Sequence, residues 1–344
     1  MDLPARIETP EQLDEVMTAP TPEVIESMRA CPGDLLILGV AGKMGPTLAV
    51  LARRAMDAAG VPGEVIGVAR FSDPQLRGRL ESRGIRTISA DLLDPAAVGR
   101  LPEAPHVVFM AGRKFGSTGD EPLTWAMNVL VPARVAERFG RSRIVALSTG
   151  NVYPLTPADG RGPAEDDPVG PVGEYAQSCL GRERVFQYFS ARLGTPAVLV
   201  RLNYAIDLRY GVLTDIAGRV ASGRPVDLTM GRVNVIWQGD ANAAILRCLT
   251  HCASPPLVLN LTGPESHRVR DLAGELGRRL DRRPVFSGQE SPDALLSCAE
   301  RYVRMFGPPR VSIGQMLDWV AHWTRIGGPT LGKPTHFEAR DGRF

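Results

Sequence analysis

From residue 34 onward the chain alternates short strand-like runs with longer stretches in which apolar positions recur every three or four residues. The runs are 35–38, 65–68, 86–89, 107–110, 144–147 and 198–202; helix-like segments lie between them around 45–58, 75–83, 121–139 and 174–193. Most of these runs are Val, Ile and Leu with no polar alternation, so they read as parallel strands covered by helices on both faces. The alternation predicts a doubly wound α/β domain over residues 34–204. Past 204 the regularity loosens. Helices are expected near 213–222, 240–251, 268–280, 291–305 and 311–325, with strand-like pieces at 226–228, 233–236, 258–261 and 284–286. This predicts a smaller C-terminal lobe over 205–326, some of whose strands return to the main sheet. Ahead of the sheet, an extension over 1–33 carries two short helices within 11–30, the second opened by Thr21-Pro22-Glu23. The tail 327–344 has no periodicity and is expected to be extended and packed on a neighbour.

Composition narrows the function classes. Of 344 residues, 44% are apolar and 23% charged, and the net charge is +2. That balance has no basic excess for a nucleic-acid partner. The longest apolar runs, 35–40 and 107–111, fall far short of the roughly 20 residues a membrane helix needs. Residues 1–8 carry both charge signs and no apolar core, so no signal peptide is expected. Five scattered cysteines fit a reducing cytoplasm. Cys248 and Cys252 flank His251, but with no second ligand cluster they read as a buried helix face, and no metal site is expected.

The chemistry begins at Leu35-Leu36-Ile37-Leu38-Gly39-Val40-Ala41-Gly42-Lys43-Met44-Gly45, which runs into the amphipathic stretch 47–56. A strand, then Gly-x-x-Gly-x-x-Gly, then a helix suits a dinucleotide pyrophosphate. Gly39 makes the tight turn, Gly42 allows close backbone approach, and Gly45 lets helix and strand pack. The helix N-terminus then faces the negative charge, with Lys43 and Met44 in the turn. This makes the sheet a Rossmann fold. The second strand ends at Ala69-Arg70, where an NAD site usually places an acidic residue for the ribose 2′-OH. A guanidinium there can grip a 2′-phosphate as a fork, so NADP is the expected cofactor and NAD the alternative.

Further segments follow in order: Asp91-Leu92; Phe109-Met110-Ala111-Gly112-Arg113-Lys114; Met127-Asn128-Val129; Ser148-Thr149-Gly150-Asn151-Val152-Tyr153; and Glu165-Asp166-Asp167-Pro168 before Glu174-Tyr175-Ala176-Gln177-Ser178-Cys179. Over residues 34 to 280 the chain resembles the extended short-chain dehydrogenase/reductases, the NAD(P)-dependent epimerase/dehydratase group that holds UDP-galactose 4-epimerase. The resemblance implies that Asp91 and Leu92 meet the adenine edge, that Ala111, Gly112 and Lys114 lie along the cofactor, and that Asn128 belongs to the same site. Thr149 stands for the catalytic Ser/Thr and Tyr175 for the tyrosine of Tyr-x-x-x-Lys. Asn151, Asn203 and Arg232 become substrate candidates, Asn203 touching the cofactor as well. Asp240 in Trp237-Gln238-Gly239-Asp240 extends the match into the substrate lobe. The group also implies a homodimer through the helices at 121–139 and 174–193.

Two departures stand out. The family lysine one turn after the tyrosine is Cys179, which cannot supply the positive field that lowers the phenol's pKa. Lys114, or Arg113 beside it, is the better replacement; Arg182 shares the helix face but lies two turns on, about 10 Å along the axis. The arginine that grips the diphosphate of nucleotide sugars is also displaced, with Arg232 one place out of register and Val233 in its slot. A free sugar, sugar acid or other polyol therefore fits at least as well as a sugar nucleotide. The expected activity is proton removal from a substrate hydroxyl by Tyr175, with Thr149 bonding that oxygen and the nicotinamide taking the hydride. The alternative is a non-catalytic NADP-binding sensor or scaffold that has lost the lysine.

Overall fold

The computed structural model describes residues 3–343. Residues 1, 2 and 344, the outermost positions of the expected extension and tail, lie outside the described residues. Leu35 and Ile37 join the core on one face of the sheet and Leu36 and Leu38 the core on the other, so the first strand is dry on both sides. It belongs to a seven-stranded parallel sheet: β1 (Leu35–Leu38), β2 (Val65–Ala69), β3 (Arg86–Ser89), β4 (His106–Phe109), β5 (Arg143–Thr149), β6 (Ala197–Leu202) and β7 (Leu257–Leu261). The order across the sheet is β7-β6-β5-β4-β1-β2-β3. Six strands coincide with the expected runs to within two residues at either end. The seventh is the expected strand that returns from the C-terminal half, pairing in parallel with β6 from Leu257↔Val198 to Leu261↔Leu202.

One face is covered by helices Pro22–Ala30, Gly45–Ala59 and Gln238–Arg247, the other by Val131–Arg138 and Gly173–Leu193. A separate core gathers helices Val212–Ser222, Val269–Leu280 and Ile313–Arg325 around Trp237, Trp319 and Trp323. The N-terminal extension joins both. Leu13 and Met17 of helix Pro10–Thr18 sit in the C-terminal core, while Val24 and Met28 of Pro22–Ala30 sit against the sheet. Both helices open as their sequences dictate: Thr9 accepts from the Gln12 N–H and Thr21 from the Val24 N–H, each followed by proline.

Three segments differ from expectation. The helix expected over 291–305 forms only at Glu300–Phe306. Before it, Asp293–Ala294 pairs antiparallel with Thr156–Pro157, and the backbone beyond is claimed by distant partners. Cys298 N–H donates to Pro163 O (2.8 Å), and Asn234 Nδ2 donates to Ser297 O (2.6 Å). These bonds replace the i to i+4 ladder. The helix over 121–139 is interrupted by a π turn at Ala126–Leu130, which carries the buried Asn128. The expected strand 233–236 divides into Arg232–Val233 and Ile236–Trp237, which pair with His267–Arg268 and Ala205–Ile206 respectively. The tail is anchored on its own chain: Thr335 donates to Asp215 Oδ2 through N–H (2.8 Å) and hydroxyl (2.6 Å), and Phe337 is buried in the C-terminal core.

Candidate active site

The strand order reverses at β1, whose neighbours β2 and β4 lead away on opposite sides. In such sheets the crevice at the carboxyl ends of these strands is where ligands bind. Here the turn after β1 meets the turn after β4 at backbone distance. Gly39 has φ +92°, and a Cβ on it would stand 2.6 Å from Ala111 N. A Cβ on Gly45 would stand 2.1 Å from Val40 O, so only glycine lets helix Gly45–Ala59 start this close to the strand. Gly42 differs: its added Cβ would meet only Gly39 O, at 3.3 Å, and otherwise open space. The turn thus offers bare backbone outward and a helix N-terminus behind it. That is a cradle that fits a pyrophosphate. Thr47, in the first helical turn, is held by Gln238 Nε2 (3.1 Å) and Asn242 Nδ2 (3.0 Å).

Lys43 crosses the crevice. Its Nζ donates to Ala205 O (2.7 Å) and lies 4.5 Å from the Tyr210 ring centre, and burial pulls its pKa down to about 8. Met44 is buried. At the far end, Arg70 is exposed beyond β2, with no carboxylate within ion-pair distance among the described residues. Asp91 is exposed and accepts from Leu93 N–H (2.9 Å), while Leu92 turns into the core.

At the other end, Thr149 closes β5 and caps the turn that follows. Its Oγ1 accepts from Asn151 N–H (3.2 Å) and donates to Asn151 Oδ1 (3.0 Å). Tyr175, in the first turn of helix Gly173–Leu193, is hydrogen-bonded to Thr149 and to Cys179. Burial, and then Cys179, push its phenol well above the ordinary value, while Arg182 and the Thr149 bond pull the other way. Lys114 Nζ lies 5.9 Å from the Tyr175 ring centre, and burial pulls its pKa down to about 8.

The cation over which sequence and structure part most is Arg182. Its side chain runs back toward the helix N-terminus, as long helical side chains do, and so covers much of the axial gap to Tyr175. The guanidinium is buried, donating to Leu147 O (2.7 Å) and Asn128 Oδ1 (2.6 Å) and lying 5.6 Å from the Phe109 ring centre. It passes directly under Gly112, where a Cβ would come 2.4 Å from Nη2. Arg113, beside Lys114, is turned away to Asp120 (2.9 Å) and Gly116 O (2.7 Å). Asn128 also departs from expectation. Its Oδ1 accepts from Arg113 N–H and Arg182, and its Nδ2 donates to Arg113 O (2.9 Å) and Ser178 Oγ (3.0 Å). Fully buried and fully bonded, it anchors the β4 loop and Arg182 rather than facing a ligand.

Beneath the pair lies a charged network that the sequence did not announce. Glu183 pairs with Arg201 (2.8 Å), both essentially inaccessible, and accepts from Ser148 Oγ (2.6 Å); Arg201 also donates to Tyr153 OH (2.7 Å). Asn203 is buried beside Gly150 and donates to Asn234 Oδ1 (3.0 Å). Arg232 lies opposite Arg268 in its short strand pair, and Val233 is fully buried. The tail then spans the outer side of the crevice: His336 stands 6.3 Å from the Phe115 ring, and Gly342 meets Val172 and Gly173 backbone to backbone, two residues before Tyr175.

The profile of the NAD dependent epimerase/dehydratase family matches residues 35–260, and the chain belongs to that family. No curated protein sequence matches it. Solved structures share the fold at low identity. A mutant UDP-glucuronic acid 4-epimerase from Bacillus cereus, in complex with UDP-4-deoxy-4-fluoro-glucuronic acid and NAD, is 16% identical with a TM-score of 0.69 over 86% of this chain and 99% of that one. UDP-glucose 4-epimerase from Thermotoga maritima, with UDP-glucose, is 17% identical with a TM-score of 0.69 over 85% and 98%. MoeE5 in complex with UDP-glucuronic acid and NAD is 20% identical with a TM-score of 0.69 over 86% and 100%.

Proposed function

We propose that this chain is a nicotinamide-dependent oxidoreductase of the epimerase/dehydratase type, acting on a hydroxyl of a sugar, sugar acid or sugar nucleotide. The observation that carries this reading is the hydrogen-bonded pair Thr149–Tyr175 at the carboxyl end of β5, in the same crevice as the glycine turn. The UDP-sugars and NAD held by structural relatives are in keeping with it. Gly39, Gly42 and Gly45 would hold the pyrophosphate, with Lys43 beside it, Ala111 and Gly112 along the nicotinamide half, and Leu92 and Asp91 near the adenine. NADP is favoured over NAD because Arg70 is exposed and uncommitted where a 2′-phosphate would lie. When bound, the dinucleotide supplies the carbon that takes up and returns hydride.

The protein's own part is proton transfer and positioning. Tyr175 takes the proton of the substrate hydroxyl at its phenolate oxygen, and Thr149 bonds the same substrate oxygen as its charge changes. Cys179 contributes no charge, so the phenolate relies on Lys114 from the strand side and Arg182 from the helix side. Asn151 and Asn203 border the substrate end. The buried Val233 leaves the usual diphosphate position without a cation, which favours a free sugar or sugar acid.

Helices Glu121–Trp125, Val131–Arg138 and Gly173–Leu193 would form a homodimer interface, since Trp125, Leu130, Tyr188 and Leu193 on or beside them are exposed; sedimentation tests this. All five cysteines are free thiols, which is in keeping with a cytoplasmic location. No described helix is long and apolar enough to cross a membrane. Cofactor reduction or epimer formation, followed over sugars, sugar acids and UDP-sugars with each cofactor, tests the activity. Turnover lost in Tyr175→Phe supports the assignment, and no turnover on the panel overturns it.

A further inference from the structure

Helix Gln238–Arg247, the turn at 19–23 of the N-terminal extension and the segment 302–310 border a half-open cavity of about 400 Å³. None of its lining residues belongs to the glycine turn or to the Thr149–Tyr175 pair. The volume lies within the roughly 300–1,000 Å³ of small-molecule sites. Two of its charged groups are already committed. Arg54 is closed by a two-point pair with Glu15 (2.8 and 2.6 Å), and Asp240 Oδ2 accepts from Val311 N–H (3.0 Å).

Two others are not. Arg247 is fixed in orientation, donating to Phe306 O (3.1 Å) with its guanidinium 4.5 Å from the Phe306 ring centre, yet no carboxylate lies within 4 Å of it among the described residues. Tyr302 is 4% exposed, and its hydroxyl makes no hydrogen bond among the described residues. A guanidinium held in orientation with no carboxylate in ion-pair contact, beside a hydroxyl with no described partner, leaves donors that a ligand in the cavity can use. Glu23, on the rim, adds an acceptor, and its carboxyl is held below the ordinary range by its Thr21 bond and then by the fields of Arg247 and Arg310.

We propose that this cavity is a binding site, separate from the crevice, for a small carboxylate-bearing polyol. The carboxylate would sit on the Arg247 fork and the Tyr302 hydroxyl, with ligand hydroxyls donating to Glu23. A carboxylate suits the site because the Arg247 fork is in ion-pair contact with none among the described residues and its planar geometry matches two oxygens. The site shares a helix with the crevice: Gln238 and Asn242, on helix Gln238–Arg247, hold Thr47 beside the glycine turn.

The test is calorimetric titration of the full chain with glucuronate, and with glucose as the uncharged control. Saturable binding of glucuronate and none of glucose is expected. Arg247→Gln should weaken it by about tenfold or more and Tyr302→Phe by about three- to tenfold, while Tyr175→Phe leaves this component unchanged. Tyr302→Phe removes one oxygen and keeps the packed ring, so it remains informative if Arg247→Gln fails to fold. No saturable binding, or binding untouched by Tyr302→Phe and Arg247→Gln, overturns the proposal. An equal response to glucose would overturn the carboxylate assignment.

Discussion

The two ends of the crevice are built by different means. At the glycine turn the geometry is backbone: Gly39, Gly42 and Gly45 matter for what they lack, and their neighbours are main-chain atoms of Val40 and Ala111. At Tyr175 the geometry is side chain. The phenol's environment is set by Thr149, Cys179, Arg182 and Lys114, drawn from two strand ends and three turns of one helix, over a buried Glu183–Arg201 pair. A backbone site admits few solutions and leaves a fixed spacing in the sequence. A side-chain site admits many, because a charge can arrive from another element and still act on the same atom.

The comparison can be broken first at Gly42. Its open surroundings mean that Gly42→Val should fold with a near-native melting temperature, yet the new side chain would stand where the backbone meets a pyrophosphate. Cofactor affinity, read by nucleotide fluorescence, should fall by at least about a thousandfold, the scale of losing several charge-assisted backbone bonds at once. Unchanged affinity in a folded variant would reduce the glycine loop to a structural turn. Gly45→Val should instead fail at the level of folding, since Val40 O has nowhere to go.

Next in size is Tyr175→Phe, which should lower turnover by about 10²–10⁴ with little change in cofactor affinity, the usual range for removing a general acid–base. A loss of cofactor binding of similar size would make Tyr175 a cofactor contact and not the base. Smaller still is Arg70→Ala. It should weaken NADP by about 10- to 100-fold and leave NAD alone, as expected for one charge-assisted phosphate pair. Equal wild-type affinities for the two cofactors would return the assignment to NAD.

The same contrast decides what could be read from the sequence. β1, the glycine turn and the helix after it were legible because period and glycine spacing are local. Thr149 and Tyr175 were legible through motif order. Arg182 looks remote in the sequence because an axial distance between Cα positions ignores a long side chain that doubles back. Motif position alone makes Asn128 a ligand contact, because it says nothing of the four bonds that the π turn gives it. Residues 293–299 read as helix because their apolar spacing permits one; strand pairing with Thr156–Pro157 and the bonds to Pro163 and Asn234 are long-range and leave no local mark. The Gly342–Gly173 contact, two left-handed glycines 169 positions apart (342 − 173), is of the same kind.

The smallest effect is the most discriminating for the side-chain end, because it asks which cation serves the phenol. Tyr175 must be deprotonated to accept a proton, and burial opposes that, so turnover should rise with pH through neutrality as the phenolate fraction grows. Lys114 acts in the opposite sense. With a pKa of about 8 it is charged below that pH and neutral above, so its help to the phenolate fades as the phenolate forms, and the rise should flatten past pH 8. Arg182 keeps its charge throughout. Lys114→Met preserves the packed stem and removes the ammonium; it should move the rise to higher pH and abolish the flattening. Cys179→Lys places an ammonium one turn from Tyr175 and should move the rise to lower pH, by about one unit, the equivalent of some 1.4 kcal/mol of phenolate stabilisation. That lysine would share its space with Arg182, so the variant should also melt at a lower temperature than the wild type. pH–rate profiles of the three proteins, taken on whichever substrate the panel reveals, settle the question. Opposite shifts in the two variants would confirm that the field at Tyr175 is supplied by position-independent charge. Profiles that coincide would leave Arg182 as the cation that sets the phenol, and the lysine of the sequence motif as one of several ways to reach the same oxygen.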